Sequence, residues 1–239
     1  MSAFRRRADW LAHILKAAFQ QHHRELVPVF RPYVAPDAVV FDVGAHAGQF
    51  SKLFARLAPQ GRVFAFEPSV YARSILEPAL LWNGLRHVEV VPLGLSDADG
   101  SLVLHTPIKK RGGLGFGLAH LGDDLEQRPC VTQTVDLTTL DDFVTRRGLT
   151  RLDFIKADVE GWEAHILRGG QRTLAAHRPT LFLEVVEASL ARADATPSEI
   201  WDGLLPLGYC VFKAPDFAPA ARYDGPGDYL FTPMAKPAD

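Results

Sequence analysis

Hydrophobic and polar positions along the chain alternate between two periods. In residues 4–27 (FRRRADWLAHILKAAFQQHHRELV), Trp10, Leu11, Ile14, Leu15, Ala18 and Phe19 recur at three- and four-residue steps. That spacing predicts an amphipathic helix headed by Arg5, Arg6 and Arg7. From Pro36 onward short apolar runs take over. Val39-Val40-Phe41-Asp42-Val43 reads as a buried strand ending in Gly44, and 48–58 as a helix stopped by Pro59 and Gly61. A second strand is expected at 62–66, a helix at 69–83 that Pro78 should kink or interrupt, and a third strand at 88–93. The rhythm then breaks. Strands at 101–105 and 131–137 flank a segment, 107–128, that is rich in Gly, Lys and Arg and long enough to be a candidate lid. Alternation resumes with helix 138–147, strand 152–157, helix 161–176, strand 180–186, helix 197–206, strand 209–213 and a closing strand at 229–231.

Strands and helices in that order imply β-α-β units. The fold class expected is a Rossmann-like, doubly wound α/β fold with a mostly parallel sheet and helices on both faces. It carries an N-terminal helix and a strand-and-loop insertion after strand three. Residues 1–36 form a helical segment that packs on, or covers, a main domain at 37–239. An Arg-rich targeting peptide and a membrane-surface helix are the other readings of that segment.

Composition narrows the class. The 239 residues are 47% hydrophobic and 23% charged, too apolar for a disordered chain. The two cysteines, Cys130 and Cys210, have no metal-ligand spacing and point to a reducing, cytoplasmic setting. A net charge of −2 gives no reason to expect nucleic acid as a partner, and no apolar run is long enough for stable membrane insertion.

Ligands of open α/β sheets bind outside the carboxyl ends of the strands. The sequence places acids there: Asp42, Glu67, Asp97 after Ser96, Asp158 with Glu160, and Glu184 slightly inside its strand. The first turn, Asp42-Val43-Gly44-Ala45-His46-Ala47-Gly48, resembles a nucleotide-binding bend, but its glycines are four apart and do not make G-x-G-x-x-G. A carboxylate at Asp42 would repel a pyrophosphate by roughly 3 kcal/mol per contact at about 5 Å and an effective dielectric near 20. It would attract an ammonium instead. S-adenosylmethionine carries an ammonium and a sulfonium and no phosphate, and its carboxylate could use the helix N-terminus near Gln49 and Ser51. Glu67-Pro68 stands where an acid accepts from ribose hydroxyls, and Asp97 where one could accept from an adenine amine. Each acid also has a plain structural reading: a surface turn for Glu67, a turn residue for Asp97, and a helix N-terminal acid for Glu160.

Taken in order, FDVGAHAGQFS (41–51), VFAFEPS (63–69), GLSDADG (94–100), TLDDF (139–143), DFIKADVEGWEAHILRGG (153–170) and PTLFLEV (179–185) resemble the FkbM-type methyltransferases, a branch of the class I adenosylmethionine-dependent enzymes. The resemblance covers roughly 39–213 and is most specific at I-K-x-D-V-E-G. It implies that Asp42, Gly44 and Gly48 shape the methionine end of a cofactor site. Glu67 would hold the ribose and Asp97 the adenine edge, with Asp158 and Glu160 beside the reacting methyl. His46 stands where the family usually has Asn, and Ala157 where a larger aliphatic residue is common. The cofactor-binding residues expected are therefore Asp42, Gly44, Ala45, His46, Gly48, Ser51, Glu67, Pro68, Ser96, Asp97 and Asp158, with Asp158 and Glu160 catalytic.

The activity expected is methyl transfer from S-adenosylmethionine to a hydroxyl of a small molecule such as a sugar, polyketide or other secondary metabolite. In-line displacement needs positioning, and an alcohol nucleophile needs a base. A divalent metal, with Glu184 joining the acids, is possible but not predicted, and no metal ligand is assigned. Lys156 reads as a salt-bridge partner, and His165 as a surface or packing residue. His105 and His120 could supply a base from the variable segment. Lys109, Lys110 and Arg111 could attract an anionic acceptor or be a solvated charge run. Gly113-Leu114-Gly115-Phe116-Gly117 follows no strand and is rejected as a phosphate loop. An NAD(P)-dependent oxidoreductase and a non-catalytic binding module are the alternatives. An RNA methyltransferase should show a more basic surface.

Overall fold

A computed structural model describes the backbone of residues 3–107, 120–121 and 130–234, and the side chains of 10–106 and 130–234. In chain order the elements are α1 (Ala3–Phe19), α2 (Val27–Phe30), β1 (Val39–Val43), α3 (Gln49–Leu57), β2 (Arg62–Phe66), α4 (Val70–Trp82) and β3 (Val88–Val91). Next come β4 (Gly94–Ser96), β5 (Gly100–Pro107), β6 (His120–Leu121), β7 (Cys130–Thr139), α5 (Leu140–Arg146) and β8 (Phe154–Ala157). They are followed by α6 (Glu163–Arg168), α7 (Gln171–His177), β9 (Thr180–Val185), α8 (Glu187–Arg192), α9 (Pro197–Leu204), β10 (Tyr209–Lys213), β11 (Ala218–Pro219) and β12 (Gly227–Pro233).

The main sheet has the order β11-β10-β12-β9-β8-β1-β2-β3. Strands β3, β2, β1, β8 and β9 are parallel, and β12 runs antiparallel between β9 and β10. Every residue of β1 is buried, as a central parallel strand covered on both sides requires. Alternate residues feed two layers. Val40, Val63, Phe154, Phe182 and Leu230 pack under α2 and α3, while Phe41, Phe64, Phe66, Ile155 and Leu183 pack under α5 and α6. The fold is thus the Rossmann-like α/β architecture expected. The insertion after β3 is a second sheet, β4-β7-β5-β6.

Several boundaries differ from the sequence pattern, each for a local reason. The expected helix 4–27 stops at Phe19, because the buried Lys52 ammonium donates to the carbonyls of Ala17 (2.5 Å) and Gln20 (2.7 Å), and His23 turns left-handed at φ 61°. A 3-10 turn (24–26) and α2 then follow, and Phe30 and Val34 enter the core beside Phe54 and Phe182. The expected stripe on α1 packs only in part. Ile14, Ala17 and Ala18 meet Ile75 and Ala79 of α4, while Trp10, Leu11, Leu15 and Phe19 stay exposed. Helix α4 runs unbroken through Pro78; burial of Ile75, Leu76, Ala79 and Leu80 offsets the one lost amide. Strand three ends at Val91, and the chain crosses Pro92 to enter the second sheet as β4. The helix expected at 161–176 divides at Gly169-Gly170, where a Cβ on Gly169 would stand 2.0 Å from the Ser96 carbonyl oxygen. The closing strand is longer than expected, because 227–231 pair with β9 and 229–233 with β10. Short α8 was not foreseen. Most of 107–128, with Lys109, Lys110, Arg111 and the Gly113–Gly117 run, and the side chain of His120 lie outside the described residues.

Lys52 ties α1 to α3. Lys52→Met keeps the aliphatic bulk but leaves the α1 carbonyls without their donor. It should lower the free energy of urea unfolding by about 1–3 kcal/mol; an unchanged midpoint would show that the cap contributes nothing.

Candidate active site

The site begins with a buried lysine. β1 and β8 pair so that Asp42 lies beside Lys156. The Lys156 ammonium sits 3.6 Å from Asp42 Oδ1 and 3.5 Å from Asp158 Oδ2, and it donates to the Gly44 carbonyl at 3.2 Å. Burial opposes its charge, but Asp158 and Asp42 outweigh burial and hold it above the ordinary lysine value. Asp42 is wholly buried. Burial raises its carboxyl above the usual range against the pull of Lys156 and of Ser51, whose hydroxyl donates at 2.5 Å. Gly44, at φ 75°, must be glycine: a Cβ there would meet the Asp158 carbonyl oxygen at 2.1 Å. The two strand ends therefore meet backbone to backbone.

Two buried glutamates fix the loops on either side. The Glu67 carboxylate accepts from the amides of His46 and Ser69, each at 2.8 Å. Burial pushes it up to about 7 despite those bonds. Glu163, at the start of α6, accepts from the amides of Val159 (2.9 Å) and Gly161 (3.5 Å), and burial also pushes it up to about 7. The chain it braces is bent tightly, with Glu160 left-handed at φ 56° and Gly161 at φ 109°. Non-glycine residues adopt that region rarely, and a turn held there by neighbouring bonds is a common feature of reactive sites.

A cavity of about 400 Å³ joins these pieces. It is lined by Gly44, Ala45, His46, Glu67 and Pro68, with Leu93, Gly94, Leu95 and Trp162. Lys156, Asp158, Glu160, Glu184, Phe50 and His23 complete the lining, with Lys156 and Asp158 against Gly44. Glu160 is raised by burial and by Asp158. Glu184 is pushed up to about 8 by burial, then by Asp158 and Glu160. The His23 ring stacks on Phe50 at 4.4 Å, and burial lowers its pKa, so it is neutral at pH 7.

Measured against the sequence, the structure brings Gly44, Ala45, His46, Glu67, Pro68, Asp158 and Glu160 to one cavity. Asp42, Ser51 and Gly48 lie behind its wall. Asp42 is fully buried and does not line the cavity: its Oδ2 accepts from Ser51, and its Oδ1, which has no hydrogen-bond partner among the described residues, faces the Lys156 ammonium at 3.6 Å. Gly48 instead starts α3 in a left-handed turn. Ser96 and Asp97 also miss the cavity. The Ser96 hydroxyl receives the Trp162 indole N–H at 3.0 Å, and Asp97 pairs with Arg168 at 3.2 Å. The turn after β4 carries both side chains toward α6. Lys156 is the salt-bridge partner expected, and His165 packs against Trp162 at 4.0 Å. His105 contacts Cys130 in the second sheet. Among the described residues no group of three His, Cys, Asp or Glu is arranged to hold a metal ion, and no helix is long and apolar enough to cross a membrane.

Sequence reasoning missed His23, Phe50, Trp162 and Glu163. The one legible signal was Glu163, an acid following Asp158-Val159-Glu160-Gly161 at the start of a helix. His23 reaches the cavity only through the break after α1, which the helical spacing concealed.

Residues 42–211 match the family described as the methyltransferase FkbM domain. The chain is similar to the 2-O-methyltransferase NoeI of Sinorhizobium fredii, with 24% identity over 209 residues, covering 84% of this chain and 79% of that protein. Among solved structures it resembles methyltransferase FkbM from Methylobacillus flagellatus, with a TM-score of 0.53 and 15% identity, covering 92% of this chain and 58% of that one. It also resembles SMU.1697c of Streptococcus mutans, solved in complex with SAH, with a TM-score of 0.51 and 10% identity over 89% of this chain and 97% of that one. At these identities the two structures are likenesses of fold.

Glu163 gives the loop a pH signature. Its folded pKa of about 7 lies above the ordinary glutamate value of 4.5, so the native state binds more protons than the unfolded state between those limits. Stability from this group is therefore full below about 4.5 and falls as pH rises towards 7, by at most about 3 kcal/mol. Glu163→Gln keeps an acceptor for the Val159 amide and removes the charge. It should raise the melting temperature at pH 8 above wild type and bring the two proteins together at pH 4.5. A lower melting temperature at pH 8 would mean that the carboxylate is stabilising as an anion.

Proposed function

Because the chain belongs to the FkbM methyltransferase family, we propose that the cavity binds S-adenosylmethionine and that the protein methylates a hydroxyl of a small molecule. The single observation that carries this reading is the joining of three strand ends in one cavity: the Gly44 bend, Glu67, and the Asp158-Glu160 turn. The residues present fit that cofactor. Glu67 keeps lone pairs free beyond its two amide bonds and suits ribose hydroxyls. Pro68, Leu93, Leu95 and Trp162 offer an apolar slot for a flat base. Elsewhere in the lining carboxylates outnumber Lys156, which suits a cationic group and disfavours a diphosphate. The charge discrimination first read into Asp42 thus belongs to Asp158, Glu160 and Glu184.

S-adenosylmethionine supplies an electrophilic methyl group. The protein's share is positioning and proton handling. The bend at Gly44-Ala45-His46 holds the methionine end over the sheet. Asp158 and Glu160 grip the acceptor hydroxyl beside the methyl and keep its oxygen in line with the bond that breaks. His23 and Phe50 form an aromatic wall for the acceptor and exclude water from that end. NoeI is named as a 2-O-methyltransferase, and carboxylates able to accept a hydroxyl proton favour O-methylation here as well.

Calorimetric titration tests the cofactor. S-adenosylmethionine and S-adenosylhomocysteine should bind and NAD should not; binding of NAD alone would establish the oxidoreductase reading instead. Glu67→Gln removes part of the ribose acceptor and should weaken S-adenosylhomocysteine by about tenfold or more. Normal affinity would misplace the ribose. With labelled S-adenosylmethionine and a panel of hydroxylated sugars and polyketides, Glu160→Gln should lower methyl transfer at least about tenfold while cofactor affinity stays within about twofold. Unaltered transfer would remove Glu160 from the reacting end.

A further inference from the structure

Strand register sets three acids side by side. Asp228 on β12 pairs with Glu184 on β9. One residue past the Ala157–Leu183 pair, Asp158 continues β8 alongside Glu184. In-register neighbours point to the same face of a sheet, so this row shares the face that carries Asp42 and Lys156. Glu160 joins from the turn. Lys156, the cation in contact with the row, is already divided between Asp42 and Asp158. From the break after α1 His23 lines the same cavity, its pKa lowered by burial, and Arg192 lies toward Glu160. So many carboxylates around one ammonium cannot all ionise. Burial, Asp158 and Glu160 together push Glu184 up to about 8, and Asp228 is raised by burial and Asp158.

We propose that Glu184, set beside Asp158 by the strand register, holds a proton before the cofactor binds, that a positively charged sulfur displaces it, and that Glu184 then takes the acceptor hydroxyl's proton. This inference rests on the methyltransferase reading and adds Glu184 to it as a catalytic residue. In the step, the acceptor O–H bond breaks and its proton passes to the Glu184 carboxylate. The oxygen bonds to the methyl carbon as the C–S bond breaks, and that electron pair stays on sulfur as a neutral thioether. Loss of the positive charge restores the conditions under which Glu184 keeps its proton. The cofactor's charge therefore arms the base before transfer and disarms it afterwards.

Proton counting distinguishes the outcomes without needing the acceptor. Binding heats of the full chain are measured at about pH 7.5 in buffers of different ionisation enthalpy, for S-adenosylmethionine and S-adenosylhomocysteine. The two ligands share the ammonium and carboxylate and differ in charge at sulfur. S-adenosylmethionine should release about half a proton or more beyond S-adenosylhomocysteine. Glu184→Gln, which mimics the protonated acid, should abolish that difference, and Glu187→Gln on exposed α8 should keep it. Equal proton counts in the wild type would overturn the inference with no variant needed, as would a difference that survives Glu184→Gln. If neither ligand bound, the methyltransferase reading would fall, and this one with it.

Discussion

A single buried ammonium organises the end of the sheet that faces the cavity. Lys156 lies between Asp42 and Asp158, donates to the Gly44 carbonyl and sits 4.9 Å from the centre of the Phe50 ring. A charge taken out of water costs several kcal/mol unless its partners are in place. One residue thereby fixes the tail of β1, the first bend, the end of β8 and the inner face of α3. The positions of the Gly44 bend and of Asp158, which any ligand at this end must meet, both follow from it.

Around that ion pair the loops are held by a repeated device. Glu67 collects two amides on one side of the cavity, and Glu163 collects two on the other. Each is a buried carboxylate acting as a peg for backbone N–H groups. That bonding lets His46 and Glu160 remain left-handed at φ 49° and 56°. The N-terminal segment completes the enclosure: Lys52 anchors α1, and Gln21 and His22 bond to Gln49, so His23 is carried over Phe50. Gln21, His22 and His23 precede the 42–211 family match, and Phe50 lies within it.

Much of the frame was legible in the sequence, because buried parallel strands are short apolar runs and their ends are marked by Gly and acids. β1, β2, β8 and β9 fall within a residue or two of expectation. The lining of the cavity was legible at Gly44, Glu67 and Asp158, which the structure brings together. Side-chain partners were not legible where they lie far along the chain. Asp42 looks free until Lys156 and Ser51 are placed against it, and Asp97 looks free until Arg168 is. Local spacing carries no information on such pairs. His23 was hidden for a related reason: the cap that ends α1 comes from Lys52, 33 positions beyond Phe19.

The central claim is that Lys156 and Asp42 act as one unit. A double-mutant cycle on Lys156→Met and Asp42→Asn, read by urea unfolding, tests it most directly. Lys156→Met alone should cost about 3–5 kcal/mol, because it strands the Asp42 carboxylate in the core. Adding Asp42→Asn should restore at least about 1.5 kcal/mol of that loss. Losses that add to within about 0.5 kcal/mol would contradict the claim, since the two side chains would then be stabilised independently.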